Sequence, residues 1–398
     1  MSFFSPKTES NVFLAIDIGS GSVGGAVVLA SSKGAPTVLY SFRSEIPFQE
    51  AATGARLLSL MLRSLSQVVL ALTREGFEVA GLTRHHAKVK EVLVSLGAPW
   101  VISRTSFLRL SNKEPTRITT RVFAGLLEHS EQELHSAHEE REIPTDSTQI
   151  EQKLIKSILN GYETSSPYEK EAREAEFAVL TSFSLPRITD RVTGVIHEHL
   201  QPKHISFHSF SLLAFAALRE LPEHPEDFII IDAGGEQTEL AVIKRGILAE
   251  TATIPLGKNS LIRAVRSEGK EAPSGASSML RLYASGTGTG RMFERAKKLF
   301  AEKESEWQKE LGKVLAVFSE EVFLPRTIFL TADDDVIALF SKATSSADWS
   351  TLALSPGSLR VIPVDAELLA SLLHWSNPEQ RDPFLGLIAS SGSRIRRE

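Results

Sequence analysis

The stretch "VFLAIDIGSGSVGGAVV", residues 12–28, has a near copy later in the chain, and that repeat limits the fold more than any other feature. Setting "FLAIDIGSGSVGGAV" from Phe13 beside "FIIIDAGGEQTELAV" from Phe228 gives one constant offset of 215 residues. The pairs Phe13/Phe228, Ile16/Ile231, Asp17/Asp232, Gly19/Gly234, Ala26/Ala241 and Val27/Val242 are identical. Each copy runs into a second apolar stretch, "PTVLYSF" or "GILAETATI", and then an Ile-Pro pair, at Ile46-Pro47 and Ile254-Pro255. A repeat on this scale predicts two related domains, each opening with a β-hairpin. The 398 residues agree, because single cores rarely serve chains beyond about 250–300 residues.

The residues at the repeated turn carry their own chemistry. A strand of the type FIIID is buried on both faces, so the aspartate at its end must meet water, a cation or a donor. Glycines just beyond it let the backbone turn sharply and approach a ligand closely. Their N–H groups then form a concave site for an anion such as phosphate. Two such turns facing across a cleft would cradle a polyphosphate from both sides. Asp17 and Asp232 would lie beside it, suited to hold Mg²⁺ through the waters that this ion keeps. Ser20, Ser22 and Thr238 add hydroxyls at the same turns.

Composition narrows the rest. A formal charge of −5 gives no global reason to expect nucleic acid as a partner. With no cysteine, disulfides, thiolate metal sites and cysteine nucleophiles are excluded, which fits a cytoplasmic protein. "MSFFSPKTES" does not read as a signal peptide, and no apolar run reaches the roughly 18–20 residues of a membrane helix. The basic tail "SSGSRIRRE" reads as a solvated end whose membrane contact is indirect or weak.

The two turns resemble the phosphate-1 and phosphate-2 motifs of the actin-like ATPase superfamily, and most closely its FtsA and PilM branch. The resemblance implies an α/β, duplicated actin-like (ribonuclease H-like) fold with an inserted α+β subdomain. Domain I would comprise residues 11–102 and 184–222, the insert (of the FtsA 1C or SHS2 type) 103–183, and domain II 223–392. It implies ATP and Mg as cofactors. Asp17, Gly19, Ser20, Gly21 and Ser22 would contact phosphate and metal from one side, and Asp232, Gly234, Gly235 and Thr238 from the other. "HISFHSFSLLAFAALREL" is expected as the helix crossing between domains. "LPRTIFLTADDDVIALF" takes the place of the adenosine motif, with Thr331 at the end of its strand. Ala332 and Asp333 stand where two glycines are usual there, and Asp334 and Asp335 follow, narrowing the approach and repelling a triphosphate.

Elsewhere the patterns are ordinary. "ATGARLLSLMLRSLSQVVLALTREG" has helical spacing at Leu57, Leu58, Met61, Leu65, Val68 and Val69, and "KVKEVLVSLGAPWVIS" reads as a strand. Residues 103–183 have no counterpart in the second half; they read as a short strand near "SFLRLS", a helix from about 119 to 140 and two further strands. Arg84, His85 and His86 read as a solvated turn. His129, His135 and His138 read as a solvated helix face rather than a metal site. Gly286, Gly288 and Gly290 precede a long charged helix without the context of a dinucleotide or P-loop site.

Three functions fit these observations. One is a cytoplasmic FtsA-type scaffold that binds Mg-ATP between its domains and acts in cell division by polymerising or docking protein partners. A second is a PilM-like adaptor of type IV pilus assembly, reaching the inner face of the membrane through its partners. The third is a phosphotransferase such as a sugar kinase. That chemistry needs a carboxylate base at the substrate hydroxyl. The crossing segment carries no acid, and Glu236 and Glu239 are the nearest candidates. At most a slow ATPase is expected. The paired glycines of "DAGGEQTELAVIKRG" lean the reading toward FtsA, while the lack of a terminal amphipathic anchor leaves the adaptor open.

Overall fold

Alternation along the repeated strands decides where the two aspartates point. In β1 (Val12–Ile18), Leu14, Ile16 and Ile18 enter one apolar cluster, while Phe13 and Ala15 enter another on the opposite face. Asp17 shares the parity of Phe13 and Ala15 at the strand's end. In β10 (Phe228–Ala233), Ile229, Ile231 and Ala233 face outward, and Asp232 shares the parity of Phe228 and Ile230. Both aspartates therefore lie on the faces that look toward the layer between the two halves. The computed structural model describes residues 12–395 except 32–33, 52–53, 83–88, 137–142, 270–271, 322, 351 and 353–357. The Arg84–His86 turn and His138 lie outside the described residues.

Each half is built on the same five-stranded plan. In the first, β1, β2 (Ser22–Leu29) and β3 (Thr37–Glu45) form an antiparallel meander. Strands β4 (Glu91–Leu96) and β9 (His204–Ser209) then add in parallel beside β1. In the second, β10, β11 (Thr238–Lys244) and β12 (Ile247–Ile254) form the meander. There β13 (Thr327–Ala332) and β14 (Arg360–Pro363) add in parallel beside β10. The registers match as well: Asp17 stands opposite Gly24 and beside Ser95, and Asp232 opposite Glu239 and beside Thr331.

Helices cover both sheets. The amphipathic α1 (Gly54–Ala71) runs through a π turn, Leu72–Gly76, into the short α2 (Phe77–Val79). It buries all six apolar residues named from its spacing. The whole helix, Gly54–Val79, is long and apolar enough to cross a membrane, against the sequence expectation, but half of its most apolar window is buried within the protein. With α4 (Pro186–His199) it covers the outer face of the first sheet. The second sheet carries α6 (Lys258–Gly269), α7 (Pro273–Ser285), the 31-residue α8 (Arg291–Glu321) and α9 (Ile337–Ser346). Between the sheets lie α5 (Phe210–Leu218), apolar all round, and α10 (Pro383–Ile395). A helix of that composition belongs in a core.

Two expectations need correction here. The crossing segment is a strand before it is a helix: residues 204–209 are β9, and only 210–218 form α5. The end of the chain packs on the first half, whereas the sequence reading drew the second domain to residue 392. Its short β15 (His374–Trp375) pairs with β3, and α10 lies across α5, β1 and β2.

The insert is an antiparallel sheet between β4 and α4. Its order is β5 (Ile102–Arg117), β8 (Glu171–Ser184), β6 (Thr148–Leu159), β7 (Tyr162–Glu163). Helix α3 (Thr120–Ser136) covers one face, packing its Phe123 over Leu108, Phe177 and Val179. The strand read as short is 16 residues long.

Candidate functional site

The turn after β1 and the turn after β10 meet face to face. A methyl group on Gly235 would lie 2.5 Å from the Gly21 Cα, which excludes a side chain there, and one on Gly21 would lie 3.0 Å from the Gly235 Cα. Across the same contact the Glu236 N–H donates to Ser20 Oγ at 2.9 Å. Behind the second turn, α6 begins with the Lys258 N–H on the Gly234 carbonyl and the Asn259 N–H on that of Gly235. Gly19, Ser20, Gly21, Gly234 and Gly235 are thus brought together.

The charged groups are committed to one another. Asp17 accepts from Arg43 at 2.9 Å, and the same guanidinium binds Asp382 at 2.7 Å and Ser22 Oγ at 2.8 Å. Room for Arg43 comes from Gly24, where a methyl group would lie 2.7 Å from the guanidinium. Asp232 accepts from Thr331 Oγ1 at 2.7 Å. Burial pushes the Asp17 carboxyl up to about 6 against the pull of Arg43. Burial also holds Asp232 well above the usual carboxylate range, with the Thr331 hydrogen bond opposing it. Glu239, which accepts from the Ala98 N–H at 3.3 Å, is pushed up to about 7 by burial.

On the second domain's wall, Lys258 binds Asp333 at 3.0 Å and Asp335 at 2.8 Å. Burial works against its charge, but the two carboxylates outweigh it and raise its pKa. Asp334 is raised by burial and then by its neighbours Asp382 and Asp333. Glu236 is held by Arg263 at 2.8 Å and by Asn259 at 2.8 Å.

Thr238 departs from the expected role. Its hydroxyl donates to the Leu256 carbonyl and accepts from Trp307 Nε1, and the residue is fully buried. It anchors α8 to the sheet and does not face the cleft. Thr331 is likewise spent on Asp232. Sequence reasoning missed Arg43, Lys258, Arg263 and Asp382. The one signal for Arg43 was a charged residue in "TVLYSFRSE", opposite a glycine on the neighbouring strand.

These residues, as arranged, do not fit a Mg-triphosphate. The space beside the turns is about 90 Å³, lined by Gly21, Ile46, Gly235, Lys258, Asp333 and Asp335. Small-molecule sites run to roughly 300 Å³ or more. Asp17 meets a guanidinium and Asp232 a hydroxyl in place of a metal's water shell. Among the described residues there is no group of three or more histidine or acidic side chains placed to hold a metal.

A larger groove lies on the other side of α5. It measures about 720 Å³ and runs between the insert and the first domain. Seven consecutive residues of β6, Glu151–Ser157, line it, together with Leu212, Ala216 and Arg219 of the α5 region. A strand that offers a face exposes alternate residues, so a consecutive run marks an edge. Among the described residues β8 is the strand paired with β6 along this run; on the other edge β7 reaches Ile158 and Leu159, and Thr164 just beyond it donates to the Ser157 carbonyl.

No family model matches the chain, and no curated protein matches it. Among solved structures it is similar to the PilM–PilN type IV pilus biogenesis complex, with a TM-score of 0.62 at 15% identity, covering 96% of this chain and 98% of that one. A protein with an actin-like ATPase fold and unknown function from Bacteroides thetaiotaomicron matches at a TM-score of 0.44 and 9% identity, over 98% and 99% of the chains. The ethanolamine utilization protein EutJ from Carboxydothermus hydrogenoformans matches at 0.46 and 12%, over 95% and 90%. With two sheets of one plan meeting at glycine turns, and a neighbour at a TM-score of 0.62 that spans nearly its whole length, the chain has the actin-like ATPase fold.

Proposed function

We propose that the chain is an actin-fold adaptor of the PilM kind, which works by holding an extended segment of a protein partner and not by turning over nucleotide. The observation that carries this reading is the groove along β6. A strand edge that, among the described residues, pairs on one side only with β8 and lies beside a roomy, partly apolar channel suits strand addition, in which main-chain hydrogen bonds give affinity and alternate side chains find pockets. Leu154, Leu212 and Phe215 supply the apolar floor, with Lys153, Lys156 and Arg219 at its sides. The likeness to a complex of two pilus proteins over almost the full chain supports the same reading. The phosphotransferase reading loses its candidate bases, because Glu236 is tied to Arg263 and Asn259, and Glu239 is buried on the Ala98 N–H.

The test is titration of the full chain with overlapping peptides that tile the sequence of a PilN-type protein. One tile is expected to bind in the micromolar range. Ala216→Phe, which puts an aromatic ring into the groove from a half-buried helix position, weakens that tile at least about tenfold, or ~1.4 kcal/mol. Binding that the variant leaves untouched overturns the groove as the docking site. The FtsA-type scaffold, with Mg-ATP and filaments, is the competing proposal. It shares the insert after β4, and electron microscopy of the protein with Mg-ATP separates the two by the presence of filaments.

A further inference from the structure

The cleft between the domains is closed by the chain's own residues on both sides of the glycine contact. The loop leaving β3 belongs to the first domain, yet Phe48 packs against the apolar core of the second. Next to it, Arg263 of α6 donates to the Gln49 carbonyl at 3.3 Å while its other nitrogen holds Glu236 of the second turn at 2.8 Å. One turn further along α6, Arg266 pairs with Glu50 and lies over the Phe48 ring at 5.6 Å. On the opposite side of the contact the Ala98 N–H of the first domain reaches Glu239 of the second. Ser20 and Glu236 complete the closure at its centre.

In a cleft that a Mg-nucleotide holds shut, phosphate oxygens and a cation bridge the donors and carboxylates of the two walls. Here a donor of one turn, the Glu236 N–H, meets an acceptor of the other, Ser20 Oγ, directly. Four of the wall carboxylates already have cations, Arg43 for Asp17 and Asp382 and Lys258 for Asp333 and Asp335, while Asp232 takes the Thr331 hydroxyl. Among the described residues the cations at the turns, Arg43, Lys258 and Arg263, each already hold a carboxylate that an added polyphosphate would have to displace. Inserting one requires breaking ion pairs that are partly buried, and at Asp17 buried, and a buried group that loses its partner is costly.

We infer that this chain has exchanged nucleotide-dependent closure for a clasp of its own residues, in which Phe48, Gln49 and Glu50 of the β3 loop grip Arg263 and Arg266 of α6. The closed arrangement is then the resting structure, and the adaptor presents its groove without a nucleotide cycle.

Because the chain has no cysteine, spin labels go to chosen sites without background. Labels at exposed Glu78→Cys in the first domain and Glu302→Cys in the second report the interdomain distance by pulsed electron resonance. The expected result is one narrow distance distribution, unchanged by millimolar Mg-ATP. Arg263→Ala and Phe48→Ala are each expected to widen it roughly twofold, and Mg-ATP does not restore it. Arg266→Ala, at the partly exposed end of the clasp, gives a milder widening and serves if the other two fail to fold, as judged by circular dichroism. A broad wild-type distribution that Mg-ATP narrows overturns the inference, as does a clasp variant that folds and keeps the narrow distribution. Neither outcome depends on whether the groove binds a peptide.

Discussion

Glu239 occupies in the second half the register position that Gly24 holds in the first, and the difference sets what each half does with its aspartate. Gly24 leaves a hole that Arg43 fills, so Asp17 is neutralised by a cation. Glu239 brings a second carboxylate beside Asp232, so that side relies on protons and hydroxyls. The consequence for stability has a definite sign. Glu239 titrates at about 7 in the folded chain against an ordinary 4.5, so the folded state prefers its protonated form. Its contribution is fully present below about pH 4.5 and is lost as pH rises through 7, an effect of order 3 kcal/mol at most. Glu239→Gln keeps an oxygen for the Ala98 N–H and removes the titration. The variant is expected to match wild type near pH 4.5 and to exceed it at pH 8, read from urea unfolding midpoints at the two pH values. A variant less stable than wild type at pH 8 contradicts the assignment.

At the scale of elements, β6 has three tasks: it completes the insert's sheet, lines the groove and joins the insert to the first domain. The joint is Glu151. One of its oxygens accepts from Ser182 Oγ, from the Ser209 hydroxyl and from the Ser209 N–H at the start of α5, while the other meets His208 Nδ1. A carboxylate at a helix N-terminus is favoured by the dipole, and this one also satisfies an orphan donor. Glu151→Ala leaves the buried Ser209 N–H without its acceptor and His208 Nδ1 without its carboxylate, while the Ser182 and Ser209 hydroxyls keep each other, and it is expected to cost about 2–4 kcal/mol in chemical unfolding, with Glu151→Gln costing less. Equal losses for the two variants count against the joint. What was legible in the sequence follows from the same contrast. The repeated strands and α1 were readable because period and composition are local, whereas β9 read as the start of a helix and β5 as a short strand. The duplicated turns were readable because two copies confirmed one another. Glu151, Arg43 and Lys258 were not, since each finds its partners tens to hundreds of residues away and nothing nearby distinguishes it from a surface charge. The adenosine-turn residues Asp333 and Asp335 stood out as departures, but that they hold Lys258 became visible only in three dimensions. Thr238 misled because a hydroxyl at a phosphate turn looks the same in sequence whether it faces the ligand or a tryptophan.

For the whole molecule, the central question is whether two halves of one plan behave as two domains. The largest apolar cluster is shared between them: Phe13 and Ala15 of the first sheet, Phe228 and Ile230 of the second, and the faces of α5 and α10 between. After the second sheet, β15 and α10 return to pack on the first half, so the first half takes in residues from the far side of the sequence. Burial shared in this way couples unfolding, and the clasp adds to it. Four tryptophans make the test direct. Trp100 and Trp375 lie in the first half, Trp307 and Trp349 in the second. Replacing one pair by phenylalanine leaves fluorescence reporting on the other half alone. In each double variant the fluorescence midpoint in urea is expected to coincide with the midpoint by circular dichroism, as one cooperative transition demands. Losing the hydrogen bonds of Trp307 and Trp349 lowers both midpoints of that variant together. Fluorescence and dichroism that separate within one variant show instead that the halves unfold independently, and the shared core then does less to join them than its burial implies.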